Sequence, residues 1–322
     1  MSTRSSIPPF TLKQLAYFVA AAEEGTITGA ADELHVSPSA MSDAITELES
    51  IVGERLCIRR RAHGLTLTPA GQQLMRHARQ MLTEADELSR TMGSRADVLS
   101  GPIVIGCYPT LAPIILPPLL QDFTSLHPGV ELSILEATQD QLASALASGR
   151  VDLAFVYDML VAGTPARSRL FELPAHVVLP ANHRLADQPA VRLEDVIDED
   201  LILLDSPPSS EHTLTVFAER GLRPRVRHRT ASYEVVRTLV ARGLGYGILV
   251  SRIANPASYE GFPLVTKRID PPVSPVAIEV IWSPDRPLPA RTRALLEFAR
   301  QVDWGGSGGV PAPAVDAADL AT

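Results

Sequence analysis

The sequence predicts an α/β protein made of two unlike parts. The N-terminal part is helical and ends in a short strand pair, whereas strands and helices alternate in the longer second part. Two observations support this division. Apolar residues recur at helical spacing between positions 12 and 52 and again between positions 69 and 93. From Ser100 onward, aliphatic runs such as PIVIGCY and VDLAFVY alternate with amphipathic segments. We therefore expect the 322 residues to form two or three separate cores.

The N-terminal helices are each opened by residues suited to cap a helix. Thr11 and Gln14 form a capping box before the first apolar stripe. Thr28 is expected to cap a shorter second helix. Ser37 then has cap chemistry, and Pro38 stands at the first helical position, where its missing N–H costs nothing. The pattern predicts three short helices in succession.

The third helix is amphipathic, and its polar face is a candidate DNA contact. Short hydroxyl and carboxylate side chains lie on the face opposite its apolar stripe, which consists of Met41, Ala44 or Ile45, Leu48, and Ile51 or Val52. Two helices joined by a tight turn, with a third behind them, form a helix-turn-helix, whose second helix enters the major groove. The candidate DNA-contacting residues on this helix are Ser37, Ser39, Ser42, Asp43 and Thr46.

Basic charge is concentrated just after this helix. Four arginines fall within seven residues that contain no acid: Arg55, Arg59, Arg60 and Arg61. The run CIRRRAHGLTLT predicts two short strands around a turn at Gly64, a wing able to place guanidinium groups on phosphates. We interpret residues 1–67 as a winged helix-turn-helix DNA-binding domain. Taken separately, the arginines could form a solvated loop and the helices a generic bundle.

The run from Phe10 to Leu74 resembles the N-terminal domain of LysR-type transcriptional regulators. The resemblance rests on the opening LAYFVAAAEEGT, the turn AADELHVS, GERL before the wing and LTPAG after it. It implies a DNA-binding regulator with a small-molecule effector domain. Members commonly carry a glutamine and a basic residue in the recognition helix, where this sequence has Pro38 or Ser39 and Asp43. The operator sequence is therefore not implied.

Residues 68–98 are expected to form a linker helix that pairs two chains. Its apolar positions alternate steps of four and three, as in a coiled-coil seam: Leu74, Ala78, Met81, Ala85, Leu88 and Met92. The alternative is a helix packed on its own chain. We favour dimerisation because a two-fold dimer reads two half-sites. The family resemblance implies antiparallel linker helices and often a dimer of dimers.

Residues 99–304 predict a two-lobed α/β domain. The alternation suggests one lobe at about 99–166 and 267–304, and a second at about 167–266. This arrangement looks like a periplasmic-binding-protein fold, whose ligand site is the cleft between lobes. Helix N-termini facing the cleft favour a small anion. Thr110 and Thr138 stand at strand-to-helix junctions, and each is as compatible with N-capping as with ligand binding.

The family resemblance implies that both threonines line the effector cleft. It implies the same for the loop after DLILLD, where Ser206, Ser209 or Ser210 is a candidate ligand contact. The predicted effector-binding residues are therefore Thr110, Thr138, Ser206 and Ser209.

Composition and motifs weigh against other functions. The net charge of −8 and a pI near 5.5 exclude a generally cationic protein, so any DNA contact must be local. The N-terminus lacks secretion-signal features and no apolar run is long enough for a membrane span, so we expect a cytoplasmic protein. Cys57 and Cys107 are expected to be free thiols, and Cys107 is better interpreted as a packed apolar residue than as a redox sensor. Residues 305–322 are low in complexity and expected to be disordered.

We interpret the sequence as a LysR-type regulator whose promoter binding is controlled by a small-molecule effector, with the anionic class favoured. Expected partners are double-stranded DNA, the effector, further copies of the chain and RNA polymerase, without cofactor, metal or membrane. One rival is a solute-binding protein fused to an interaction module, which the acidic charge favours. Another is an enzyme using the cleft, although no paired nucleophile and base or phosphate loop is visible. GLGYG follows a predicted helix and precedes a strand, the reverse of a phosphate loop.

Overall fold

The chain divides into two units: the first comprises Met1–Val98 with the short segment Ala147–Arg150, and the second comprises Leu99–Leu146 and Val151–Thr322. Leu99 is also the predicted start of the effector-binding domain. The computed structural model describes residues 8–60, 64–93, 99–250, 255–304 and 310–311. Within these ranges, no helix combines the length and the apolar character needed to cross a bilayer.

The first unit contains the predicted helices and strand pair. Its elements are α1 Leu12–Glu24, α2 Ile27–Glu33, α3 Pro38–Val52, β1 Cys57–Arg60, β2 Gly64–Leu67 and α4 Pro69–Gly93. The Thr11–Gln14 capping box is confirmed, as is the Ser37 cap, whose side chain accepts from the Ala40 amide. The predicted cap at Thr28 is wrong. Thr26 caps α2 instead, because the left-handed Gly25 ends α1 and redirects the chain at once.

The core of the first unit lies where α1, α2, α3 and α4 meet. Met41, Ile45 and Leu48 form the buried stripe of α3, and each is fully buried. The small Ala30 and Ala31 of α2 are also fully buried, which allows close helix packing. The same cluster includes Met75 and Ala78 of α4, so the first half of that helix is part of this core.

The second unit begins with a six-stranded sheet. Its elements are β3 Ser100–Cys107, α5 Ala112–Pro118, a π-helical turn Leu119–Phe123, α6 Thr124–Leu126, β4 Gly129–Glu136, α7 Gln139–Ala147, β5 Leu153–Tyr157 and β6 Ala166–Leu173. Three elements from the C-terminal part of the chain belong to the same lobe: β13 Val276–Trp282, α10 Ala290–Gln301 and β14 Val310–Pro311. The strand order is β14-β6-β13-β5-β3-β4, with β3 parallel to β4 and β5. Strand β13 returns antiparallel between β5 and β6, as the predicted C-terminal return requires.

The middle of the chain forms a second lobe. Its elements are β7 His176–Pro180, β8 Ala190–Val191, a 3-10 turn Leu193–Asp195, β9 Asp200–Leu204, α8 Ser209–Ala218, β10 Arg225–Thr230, α9 Tyr233–Ala241, β11 Gly247–Leu249 and β12 Leu264–Ile269. The strands pair in the orders β11-β7-β12-β8 and β10-β9. A parallel bridge from Leu201 to Tyr246 connects the two sets.

The lobe boundaries lie later in the chain than predicted. Strand β6 pairs with β13, so the first lobe continues through Leu173 rather than ending near 166. Strand β12 pairs with β7, so the second lobe continues through Ile269 rather than ending near 266. Helix α8 begins at Ser209, which lies in the segment predicted to be a loop after DLILLD.

The predicted disordered tail falls almost wholly outside the described residues. Only Val310–Pro311 of that tail is described, as a short strand beside β6. Disorder of residues 305–322 stays a prediction.

Candidate DNA-binding surface and effector cleft

The polar face of α3 is exposed, as the DNA-binding prediction requires. Ser37, Ser39, Asp43 and Thr46 are exposed, and Ser42 is half-buried. The hydroxyls of Ser37 and Ser39 lie 3.2 Å apart, and the Thr46 hydroxyl donates back to the Ser42 carbonyl at 2.8 Å. The side chains predicted to read bases therefore share one face of one helix.

The strand pair β1–β2 forms the predicted wing. Arg55 is exposed, and Arg59 and Arg60 occupy β1, although their side chains and the whole of Arg61 lie outside the described part. Gly64 has a φ of +73°, and an added Cβ would lie 2.4 Å from the Gly25 carbonyl oxygen. Glycine is thus required where the wing meets the end of α1.

Glu49 joins the recognition helix to the wing. Its Oε1 accepts hydrogen bonds from the backbone amides of Leu56 at 2.8 Å and Cys57 at 3.0 Å. Leu56 and Cys57 are both buried at the start of β1. One carboxylate therefore satisfies two amides and fixes where the wing begins.

Replacing Glu49 with alanine is expected to lower the free energy of unfolding of the first unit by about 2 kcal/mol, because two buried N–H groups lose a charged acceptor. Urea denaturation of the full chain measures this. Glu54→Ala is the matched control, since Glu54 is exposed nearby. Equal destabilisation by both substitutions would contradict the proposed role of Glu49 as acceptor of these two hydrogen bonds.

The predicted dimerisation seam on α4 divides into two parts. Ala78 is fully buried within its own chain, and Leu74 packs on the same core, so these two positions serve the fold of the first unit. Met81 and Leu88 are exposed apolar residues, with 62% of Leu88 accessible. Ala85 is half-buried, and the side chain of Met92 lies outside the described part. The C-terminal half of α4 is therefore the part that remains available to a partner.

The cleft of the second unit lies where the carboxyl ends of β3 and β5 meet the second lobe. Tyr108 follows β3, and its hydroxyl lies 2.7 Å from the Ser206 Oγ of the second lobe. Tyr157 ends β5, and its hydroxyl lies 2.8 Å from the Thr110 Oγ1. The rings of Tyr108 and Tyr157 meet edge to face at 5.4 Å. Polar side chains of both lobes are therefore joined across the cleft.

The four predicted effector residues have different local roles. Thr110 does not begin a helix as predicted, since α5 starts at Ala112 without a side-chain cap. Thr138 precedes α7, and its hydrogen bond to the Asp140 side chain lowers the pKa of that carboxyl. Ser206 contacts Tyr108, and Ser209 begins α8 with its amide donating to the Ser206 carbonyl at 2.8 Å. Thr110 and Ser206 thus belong to one cross-lobe group, whereas Thr138 contacts its own helix, where its amide donates to Gln141 Oε1 at 3.2 Å.

Several cleft side chains were not predicted: Tyr108, Gln139, Tyr157, Asp158, His212 and Tyr233. Tyr108 and Asp158 directly follow buried strands, a position that marks ligand sites in open α/β sheets and could have identified them. Gln139 and His212 lie in the first turns of α7 and α8 and are buried. No sequence pattern separates these two from ordinary helix residues.

Both units match family models. Residues 12–72 match the bacterial regulatory helix-turn-helix protein, lysR family, and residues 96–304 match the LysR substrate binding domain. The chain belongs to the LysR family of transcriptional regulators. It is thus a DNA-binding regulator with an N-terminal helix-turn-helix domain and a C-terminal effector-binding domain.

Two relatives of this LysR-family regulator align with nearly all of the chain, and a third aligns with its C-terminal part. The DNA-binding transcriptional dual regulator OxyR of Escherichia coli is 28% identical, with 90% of this chain and 94% of that protein covered. The crystal structure of HinK, a LysR family regulator from Pseudomonas aeruginosa, is 34% identical with a TM-score of 0.62, over 91% of this chain and 98% of that one. The C-terminal domain of a probable LysR family regulator from Rhodococcus sp. RHA1 is 39% identical with a TM-score of 0.61, over 62% of this chain and 99% of that chain. These relatives are regulators rather than enzymes.

Proposed function

We propose that this regulator binds promoter DNA as a dimer or tetramer and that a small molecule in the interlobe cleft controls this binding. The observation that carries the proposal is the Tyr108–Ser206 hydrogen bond, which joins the two lobes at the strand ends where ligands bind in such sheets. A ligand held there contacts both lobes at once. It can therefore favour one lobe arrangement over another.

The proposed DNA contacts combine base reading with phosphate binding. The exposed face of α3, from Ser39 to Thr46, enters the major groove, and the arginines of the wing bind backbone phosphates. Pairing through Met81 and Leu88 of α4 would place two such readers on a two-fold axis. Effector binding changes how the two half-sites are engaged and the DNA bent, and so the access of RNA polymerase to the promoter. A cytoplasmic location, where the chromosome lies, is part of this proposal.

The proposal is tested by fluorescence anisotropy of the full chain on labelled DNA from upstream of its own gene, with a scrambled duplex as control. We expect specific binding that weakens as salt rises, because phosphate contacts release counterions. Equal, weak binding to both duplexes, and to duplexes from the other promoters of the same genome, would refute operator recognition by this face.

Several relatives are activators of hydrogen-peroxide-inducible genes, so hydrogen peroxide is a candidate signal for this regulator. Peroxide reacts with thiolates, and this chain has only Cys57 and Cys107. Both are buried, and burial raises the pKa of the Cys107 thiol far above its usual value. We therefore propose that thiol oxidation is not the signal in this chain.

We expect hydrogen peroxide to leave operator affinity unchanged, in the native chain and in Cys107→Ala alike. Anisotropy before and after peroxide treatment measures the affinity, and intact mass measures oxygen added to the protein. The control is E. coli OxyR on its own operator, treated in parallel. An affinity change that is present in the native chain and lost in Cys107→Ala would establish a redox switch and contradict this expectation.

A further inference from the structure

We propose that the effector carries a protonated amine, which is bound between the two lobes by the Asp158 carboxylate and the Gln139 amide oxygen. This inference rests on the proposed cleft site and names the chemical class of its ligand. It differs from the anionic effector that helix N-termini alone would favour. Three features of the cleft support it.

The first feature is an unsatisfied acceptor on Gln139, a residue at the start of α7 with 4% of its surface exposed. Its Nε2 donates to the carbonyls of Tyr157, at 3.1 Å, and Met159. Because both partners are carbonyls, the nitrogen must face them, and Oε1 must point the other way. Oε1 is buried and accepts no hydrogen bond from any described residue. Because a buried acceptor without a hydrogen bond is costly, a ligand that donates a hydrogen bond to it is favoured.

The second feature lies across the cleft, on the first turn of α8. The Nε2 of His212 is also buried without a hydrogen-bond partner among the described residues, and 9% of the residue is exposed. Burial has the largest effect on the pKa of His212 and lowers it, whereas the negative charge of Asp158 raises it. Neutral imidazole can present an acceptor and offers no positive charge to an anion. The charge of Asp158 thus acts on the His212 imidazole of the other lobe.

The third feature is the charge around Asp158. Burial is the main cause of the raised pKa of Glu279, and the negative charge of Asp158 adds to it. Two arginines of this group, among the described residues, are already engaged: Arg167 with Glu279 at 3.4 Å, and Arg169 with Glu172 at 2.8 Å. Arg169 approaches Asp158 only to 3.7 Å. Asp158 therefore keeps capacity for a second cation.

The helix N-termini do not require an anionic ligand. Helices α7, α8 and α9 each carry a carboxylate in the first turn, Asp140, Glu211 and Glu234 respectively. A carboxylate at that place already complements the positive end of the helix dipole. Among the described cleft residues, Gln139 Oε1 is thus an unsatisfied acceptor and His212 Nε2 can act as one, so a charged N–H donor suits both.

Three phenyl probes of similar size test the inference: benzylamine, benzoate and benzyl alcohol, which carry an ammonium, a carboxylate and a hydroxyl respectively. Binding to the full chain is measured by saturation-transfer NMR and by titration calorimetry at neutral pH. We expect benzylamine to bind more tightly than the other two. Asp158→Asn should weaken benzylamine binding by about tenfold or more, as a lost charged hydrogen bond does. Arg169→Gln, at an exposed side chain, removes the competing cation and should strengthen it.

Preferential binding of benzoate, equal binding of all three probes, or no binding of any of them would overturn the inference. Benzylamine binding that is unchanged in both Asp158→Asn and Arg169→Gln would overturn it as well. If Asp158→Asn fails to fold, the Arg169→Gln result decides. Operator binding is measured separately by anisotropy. Intact operator binding without an amine site would therefore refute this inference alone.

Discussion

Replacing Gly71 with alanine is expected to destabilise the first unit by about 3 kcal/mol. The added Cβ would lie 2.1 Å from the Leu56 carbonyl oxygen, far inside van der Waals contact. That carbonyl also accepts from the Thr68 amide at 3.0 Å and from its hydroxyl at 3.3 Å, so it cannot move without breaking both bonds. Leu56 is itself fully buried, which prevents relief from the other side.

Urea denaturation and circular dichroism of the full chain measure this effect, and operator affinity should fall with it. The control is Gln72→Ala, the next residue along α4, which is exposed. We expect Gln72→Ala to leave the unfolding midpoint within experimental error. A Gly71→Ala chain as stable as the control would mean that α4 and β1 can separate at little cost.

Removing the three arginines Arg59, Arg60 and Arg61 together is expected to weaken operator binding on the order of a hundredfold at physiological salt. Each arginine on a phosphate adds about one to the slope of log affinity against log salt. We therefore expect the triple alanine variant to lose about three from that slope. Anisotropy across a salt series gives both quantities.

The matched control also removes three positive charges, but from exposed positions of the second unit: Arg223, Arg227 and Arg293. It changes the net charge equally and is expected to leave the salt slope nearly unchanged. If both triple variants lose the same affinity and slope, binding depends on overall charge rather than on the wing. Selective loss in the wing variant would locate the phosphate contacts there.

The features predicted correctly from sequence are those fixed by neighbouring residues. The Thr11–Gln14 box and the Ser37–Pro38 start depend on residues within one helical turn, so their chemistry is visible in the sequence. The choice between Thr26 and Thr28 was not visible, because it depends on the left-handed turn at Gly25. The start of a helix is thus predictable from sequence when no irregular turn immediately precedes it.

The features that were missed depend on long-range contacts. Strand β6 carries Arg167, Arg169 and Glu172 on its solvent face, which masks the alternation that a strand prediction needs. On α4, Ala78 and Met81 fit the same seam pattern, and only the folded unit shows that one is buried by its own chain. The free oxygen of Gln139 depends on two carbonyls of another segment. Sequence therefore predicted the cleft and two of its residues, Thr110 and Ser206, but not the side chains that contact them.

The double hydrogen bond from Glu49 sets a limit on how this regulator can be switched. Because one side chain ties the end of α3 to the start of β1, we expect the helix proposed to read bases and the wing proposed to bind phosphates to act as one reader. The length of DNA that each reader covers is then constant. A signal from the effector-binding domain can alter only the spacing between readers, so footprints with and without effector should differ in the gap between half-sites and not in the half-sites themselves.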